Sequence, residues 1–273
     1  MNRDFTSALH WLQFSDSALP VGAFSFSNGV ETAVHEGLVR TPEELEQLVR
    51  SALRAMASLE GVAALESFRC VQVMSCKQTM SCKRSEEASY PEEAQSTEMA
   101  SFTKMASSTK ESPSTEETLQ QLRRIDRRLL AFKLNEESRQ MSLRMGKKWV
   151  ELGASLLPHP LLQRWKEEIS AQRSPGNQAV AQGVLFALAG NRAEELFATL
   201  CFGVMNQMTG AALRCMKISH FETQRMLFRL SEEVAPLYEE VQPLSLHEMH
   251  SFAPQLDLLA SLHEQGPLRM FMS

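Results

Sequence analysis

Residues 41–56 read TPEELEQLVRSALRAM, and this stretch decides the fold class. Leu45, Leu48, Val49, Ala52, Leu53 and Met56 recur at steps of three, one, three, one and three. That spacing places all six on one face of an α-helix. The start is written just as clearly. Thr41 can cap the first turn, Pro42 fits the first helical position, and Glu44 can reach back to the Thr41 amide.

The pattern continues on both sides. Ser114–Glu117 and Asn191–Glu194 repeat the cap signature ahead of two further helices. Met141, Met145, Trp149, Leu152 and Leu156 mark another amphipathic face, and Gly37 and Gly190 stand where helices should stop. Only three Ile and two Tyr occur, with no sustained two-residue alternation, so strands are not expected. One stretch breaks the pattern. Residues 75–118 contain no Leu, Ile or Val, and sixteen of the 44 are Ser or Thr. Such a segment cannot bury enough apolar surface to offset its ordering entropy. The expectation is an all-α, single-domain helical bundle, residues 1–273, with a disordered insertion at 75–118.

Composition narrows the function. The 273-residue chain is 43% hydrophobic, enough for a sizeable core, and carries a net charge of −5. An acidic chain argues against nucleic acid. Met1–Ala8 holds Arg3 and Asp4 and no long apolar run, so no signal peptide is expected. Five cysteines at loose spacings suggest reduced thiols and a cytoplasmic setting. Residues 174–191 and 196–213 lack charge, but they are rich in Ala and Gly and interrupted by Asn and Gln. They are read as buried core helices and not as membrane spans.

Catalytic and metal motifs are weak. Gly146-Lys147 is the one Gly-Lys pair, and it lies in a helical pattern without the glycine-rich phosphate loop. The run GAFSFSNG (22–29) has one residue too many before Ser25 for a serine-hydrolase elbow. An enzyme reading would need Ser25 or Ser27 with His10 or His35 as base, plus an oxyanion donor. His247 and His250 are three apart but lack further ligands, so a surface or packing role is preferred. The fifteen methionines are read as adaptable core and interface filler. No cofactor and no metal ligand is assigned.

Two further stretches remain. SDSALPVGAFSFSNGVE (15–31) carries Pro20, Gly22 and Gly29 as backbone punctuation, with Phe24 and Phe26 that a solvated loop would not need. Asp16 and Ser17 should cap local backbone donors, Gly22 and Gly29 should supply backbone freedom, and Phe24 should anchor a packed connection. The other stretch, LDLLASLHEQGPLRMFMS (256–273), ends on an apolar tail. Such a tail either folds back or meets a partner.

LQFSDSALPVGAFSFSNGVE (12–31) closely resembles the N-terminal signature of the UreF urease accessory family, which reads L-Q-x-S-D-S-x-L-P-x-G-G-F-S-H-S-x-G-L-E. His263, Glu264, Arg269, Phe271 and Ser273 fit that family's ending, and the helices holding Arg214 and Gln224 are similar to its middle. The resemblance spans the chain outside 75–118. It departs at Ala23, where the family has a second Gly, at Phe26, where it has His, and at Met272, where it has Arg.

The resemblance implies an all-helical, dimerising adaptor and no enzyme. Such a protein binds a UreD/UreH-like scaffold and recruits a UreG-like GTPase, and the assembly delivers nickel to apo-urease. Ser15, Asp16, Ser17, Pro20, Gly22, Phe24, Ser25, Gly29 and Glu31 are then motif residues, with Arg214 and Gln224 in the middle helices. Residues 254–273 become a partner-docking segment that is mobile alone. In it Leu268 and Phe271 anchor, Arg269 pairs an acidic group, and His263 and Glu264 position the preceding turn.

Overall fold

The structure is a computed structural model that describes residues 5–22, 26–87 and 113–265. Twelve α-helices and no strands occur among these residues. They are α1 (Phe5–Ser15), α2 (Val30–His35), α3 (Pro42–Met56), α4 (Val62–Glu87), α5 (Pro113–Phe132) and α6 (Glu136–Leu156). Then follow α7 (Pro160–Ser170), α8 (Gln178–Leu188), α9 (Ala193–Cys215), α10 (His220–Ser231), α11 (Val234–Val241) and α12 (Pro254–Gln265). The all-α expectation holds.

Local chemistry explains most of the starts and stops. Thr41 and Glu44 form the expected reciprocal cap of α3, and Leu45, Val49, Ala52, Leu53 and Met56 are buried. Gly37 and Gly190 adopt the positive φ that ends a helix without steric penalty. The predicted cap at Asn191 is shifted by one residue. The Glu195 carboxylate accepts from the Arg192 amide at 3.1 Å, and Asn191 instead donates to Ser7 O and Glu195.

Helical backbone flanks the insertion on both sides. Helix α4 runs on through Glu87 and α5 begins at Pro113, so 75–87 and 113–118 are helical, and Thr118 is buried. A formed helix adds a hydrogen bond with each residue it gains, so it extends into polar sequence that could not start one. Residues 88–112 lie outside those described.

Helix α8 is the centre. Eight of its eleven residues are buried, and it packs against α4 and α6 while α9 covers α2 and α3. Small residues set these distances. A Cβ on Gly183 would lie 2.4 Å from the Ala64 carbonyl oxygen, and one on Gly146 only 2.0 Å from that of Gly176. The two uncharged stretches are therefore α8 and α9, core helices as expected. Helix α9 is nonetheless long and apolar enough to cross a membrane by length and composition, with 56% of its most apolar window buried.

The loop before α8 is fixed from α5. The buried Asp126 carboxylate accepts from Ser174 Oγ and Gly176 N at 2.6 Å, and from Asn177 N and Nδ2 at 2.8 and 2.7 Å. Burial holds its pKa above the usual carboxylate value, and the four hydrogen bonds offset only part of that rise. A π-helical turn, Ala57–Gly61, joins α3 to α4 and carries Glu60. Such turns often mark functional positions.

Candidate functional site

The connection from α1 to α2 is partly buried over its described residues. Ser15 ends α1, donating to the Trp11 carbonyl at 2.9 Å and lying 2.9 Å from Thr199 Oγ1. Asp16 Oδ1 accepts from the Ala18 amide at 2.9 Å, a turn that relieves a local backbone donor. Ser17 and Pro20 are exposed, whereas Val21, Phe26, Ser27 and Val30 are buried. Gly22 and Gly29 have φ of 82° and 83°, where a side chain would be strained. The proposed Phe24 anchor and Ser25 lie outside the described residues.

Gly29 and Glu31 make the decisive contacts. A Cβ on Gly29 would come 3.3 Å from Leu259 Cβ of α12, so the missing side chain lets α12 sit on the loop. One turn further along α12, His263 is buried between two carboxylates. Its Nε2 lies 2.9 Å from Glu31 Oε2, and its Nδ1 lies 2.9 Å from Glu137 Oε1 and 3.2 Å from Oε2. Each ring nitrogen thus faces a carboxylate oxygen. Among the described residues, no group of three or more His, Cys, Asp and Glu is arranged to hold one. The N-terminal and C-terminal motifs thus meet inside the molecule.

This cluster borders a cleft of about 230 Å³. Phe26, Met56, Met141 and Met145 contribute apolar surface to it. Polar groups include Lys133, which is buried and ion-paired to Glu60 of the π turn at 2.5 Å. Asn135 reaches Asp257 of α12 at 3.5 Å, and burial raises the pKa of Asp257. Phe26, standing where the family motif has His, puts an aromatic ring on this cleft.

Other expected positions fall elsewhere. Arg214 is exposed on α9 and donates to the Gly210 carbonyl. Gln224 is exposed on α10 between Phe221 and Phe228, which are 78% and 74% exposed. His247 and His250 lie in a turn, not on one helix face. His247 Nε2 meets an Arg124 nitrogen and His250 Nδ1 meets the Glu248 carbonyl. His35 is exposed beside Glu36. Leu268, Arg269, Phe271 and Ser273 lie outside the described residues, as does the side chain of Glu264. The first part of the expected docking segment is α12, which packs on α2 and α6 with Leu259 and His263 buried.

Sequence reasoning missed Glu137. It follows Asn135, whose side chain caps α6 by accepting from Ser138 N at 2.7 Å. A first-turn acid there reads as ordinary helix-dipole chemistry. The available signal was its place three residues ahead of Gln140 and four ahead of Met141, at the edge of the apolar face.

The UreF family profile matches residues 39–231. The chain belongs to the UreF family. It is 34% identical over 271 residues to urease accessory protein UreF 1 of Brucella melitensis, covering 99% of this chain and 95% of that protein. Urease accessory protein UreF of Yersinia enterocolitica is 31% identical over 260 residues, 95% of each chain. The profile match begins after the N-terminal motif and ends before α12. The Brucella melitensis relative, matched over 99% of this chain, extends the likeness over both partners of the Glu31–His263 contact.

Proposed function

We propose that this chain is a non-enzymatic urease accessory adaptor that bridges a UreD/UreH-like scaffold and a UreG-like GTPase while nickel is delivered to apo-urease. The reading rests on the near full-length likeness to proteins named urease accessory protein UreF. Cytoplasmic assembly follows from the same reading. The chemistry belongs to the neighbours, and this chain supplies surfaces. Helix α12 offers Leu258 and Leu262 on its outer side to the scaffold, since Leu259 and His263 are taken up inside. The test is urease activity in cells expressing the structural subunits, scaffold and GTPase, with and without this chain. Activity should fall to the apo-enzyme background without it. Equal activation in both would sink the reading.

A homodimer is part of this proposal. Phe5, Leu9 and Leu12 are exposed at positions i, i+4 and i+7, one face of α1, while Trp11 and Phe14 pack inward. An apolar helical stripe of this kind fits a second copy of itself. Leu9→Glu should shift the chain from dimer to monomer in light scattering, with a melting temperature changed by no more than a few degrees. An unchanged mass would remove α1 from the dimer contact.

A further inference from the structure

We infer that Arg124 and Arg128 of α5, bordered by His247, form a binding site for a phosphate group, either free or carried as a phosphate ester. The inference is independent of the adaptor reading. The two arginines are four residues apart, so they lie on one face of α5. Both meet the segment after α11. Arg124 Nη2 lies 3.1 Å from His247 Nε2, and Arg128 Nη2 donates to the His247 carbonyl at 3.4 Å. A guanidinium has no lone pair to accept with, so Arg124 is the donor and His247 Nε2 the acceptor. Arg128 also lies over the Phe132 ring, with 5.7 Å between its Cζ and the ring centre. Its Nε–H is buried and has no acceptor. Arg124 and His247 are exposed and Arg128 is half-buried, so the site is reached from solvent.

What holds these two guanidinium groups is neutral. An imidazole nitrogen, a backbone carbonyl and an aromatic face fix their positions without cancelling their charge. Other arginines of the fold are taken up by acids: Arg50 by Glu46 and Glu233, Arg123 by Glu116 and Glu168, and Arg229 by Glu46. Arg124 and Arg128 make no ion pair among the described residues. Arg127, held by the Arg173 carbonyl at 2.8 Å, adds a third positive charge to the same stretch of helix. Glu248 follows His247, but its carboxylate accepts from Ser245 N and Oγ. In a chain of net charge −5 this is a local excess of positive charge. Like charges on adjacent turns of a helix repel, and an anion between them relieves that cost. The two oxygens of a carboxylate are filled by one guanidinium fork. The three oxygens of a phosphate accept from two forks at once, so two converging arginines favour phosphate. Because the side chains are already positioned, less rotamer freedom is lost on binding.

Titration calorimetry on the full chain tests this with two probes, inorganic phosphate and a short, otherwise neutral peptide carrying one phosphoserine. Ionic strength is held constant with chloride. The site variants are Arg124→Gln and Arg128→Gln, and Arg144→Gln is the control. Arg144 is exposed on α6, and its loss changes the net charge equally. At least one probe should bind the parent one to one. Its affinity should fall roughly tenfold or more in each site variant, while Arg144→Gln keeps the parent value. Tighter binding of the peptide assigns the site to a phosphorylated protein segment, and equal or tighter binding of phosphate assigns it to the free anion. A parent that binds neither probe overturns the site. So does an equal loss in all three variants, which would mark a response to net charge alone. If Arg128→Gln does not fold without its contact to Phe132, the exposed Arg124→Gln decides by the same criterion.

Discussion

Asp126→Ala should lower the unfolding free energy by about 3–5 kcal/mol, the largest loss expected from any single side-chain truncation here. The carboxylate is the acceptor for two backbone amides, the Asn177 amide group and the Ser174 hydroxyl, all buried. Without it these donors face one another in a space closed to water. Asn177 is itself fully buried and accepts from Ser142 Oγ at 3.0 Å, so the damage reaches α6. Asp126→Asn provides the control for charge and shape. It fits the space but turns an NH2 group towards groups that already donate, so it should also destabilise. Urea unfolding followed by circular dichroism measures both. A loss below about 1 kcal/mol for the Ala variant, the worth of one ordinary hydrogen bond, would contradict the account.

Gly146→Ala should cost about 3 kcal/mol or more, although Ala is the better helix former by about 1 kcal/mol. Sterics outweigh propensity because the added methyl would lie 2.0 Å from the Gly176 carbonyl oxygen and 2.7 Å from Asn177 C and Gln178 N. These are backbone atoms of the loop that Asp126 grips from the other side, so they cannot swing away as a side chain could. The contrasting variant is Gly203→Ala on α9, where nothing lies within 4 Å of the new Cβ. There the propensity gain should survive and stability should stay level or rise. The same urea titration separates the two. Equal behaviour of both glycines would show that close approach is not what Gly146 provides.

These two sites show what a sequence can and cannot say. The helices were legible because capping and three-four periodicity are local, and Thr41–Met56 carries both. Asp126 was hidden by its setting, since Arg123, Arg124, Arg127 and Arg128 surround it and suggest a surface ion-pair lattice. Yet Leu122 lies four residues before it and Leu129 three after, both buried, so position 126 falls on the inner stripe. An acid at such a position is a signal that periodicity alone could have raised. The meeting of Glu31, Glu137 and His263 is different in kind. Glu31 and His263 are 232 residues apart, and Glu137 and His263 are 126 apart. The motifs marked two of the three residues, but only tertiary packing brings them to one place. The same limit explains the insertion boundaries, where helical propagation carried α4 and α5 into sequence that looks non-helical by composition.

The π turn at Ala57–Gly61 affects how the chain tolerates changes in length. Helices α3 and α4 run into each other through it, so 42–87 is one continuous helical run. In an ideal α-helix each residue turns the chain by about 100°, and deleting one would swing every later side chain onto the wrong face. A π turn holds one residue more than the α turn it replaces. A single deletion within 57–61 can therefore be absorbed by relaxation to ordinary helix, leaving Phe68, Val71 and Met74 aimed at the same neighbours. The same deletion anywhere else between 42 and 74 would rotate the buried face of α4 out of the core. The turn is the one slack position in an otherwise rigid helical ruler, and it lies where Glu60 reaches the cleft.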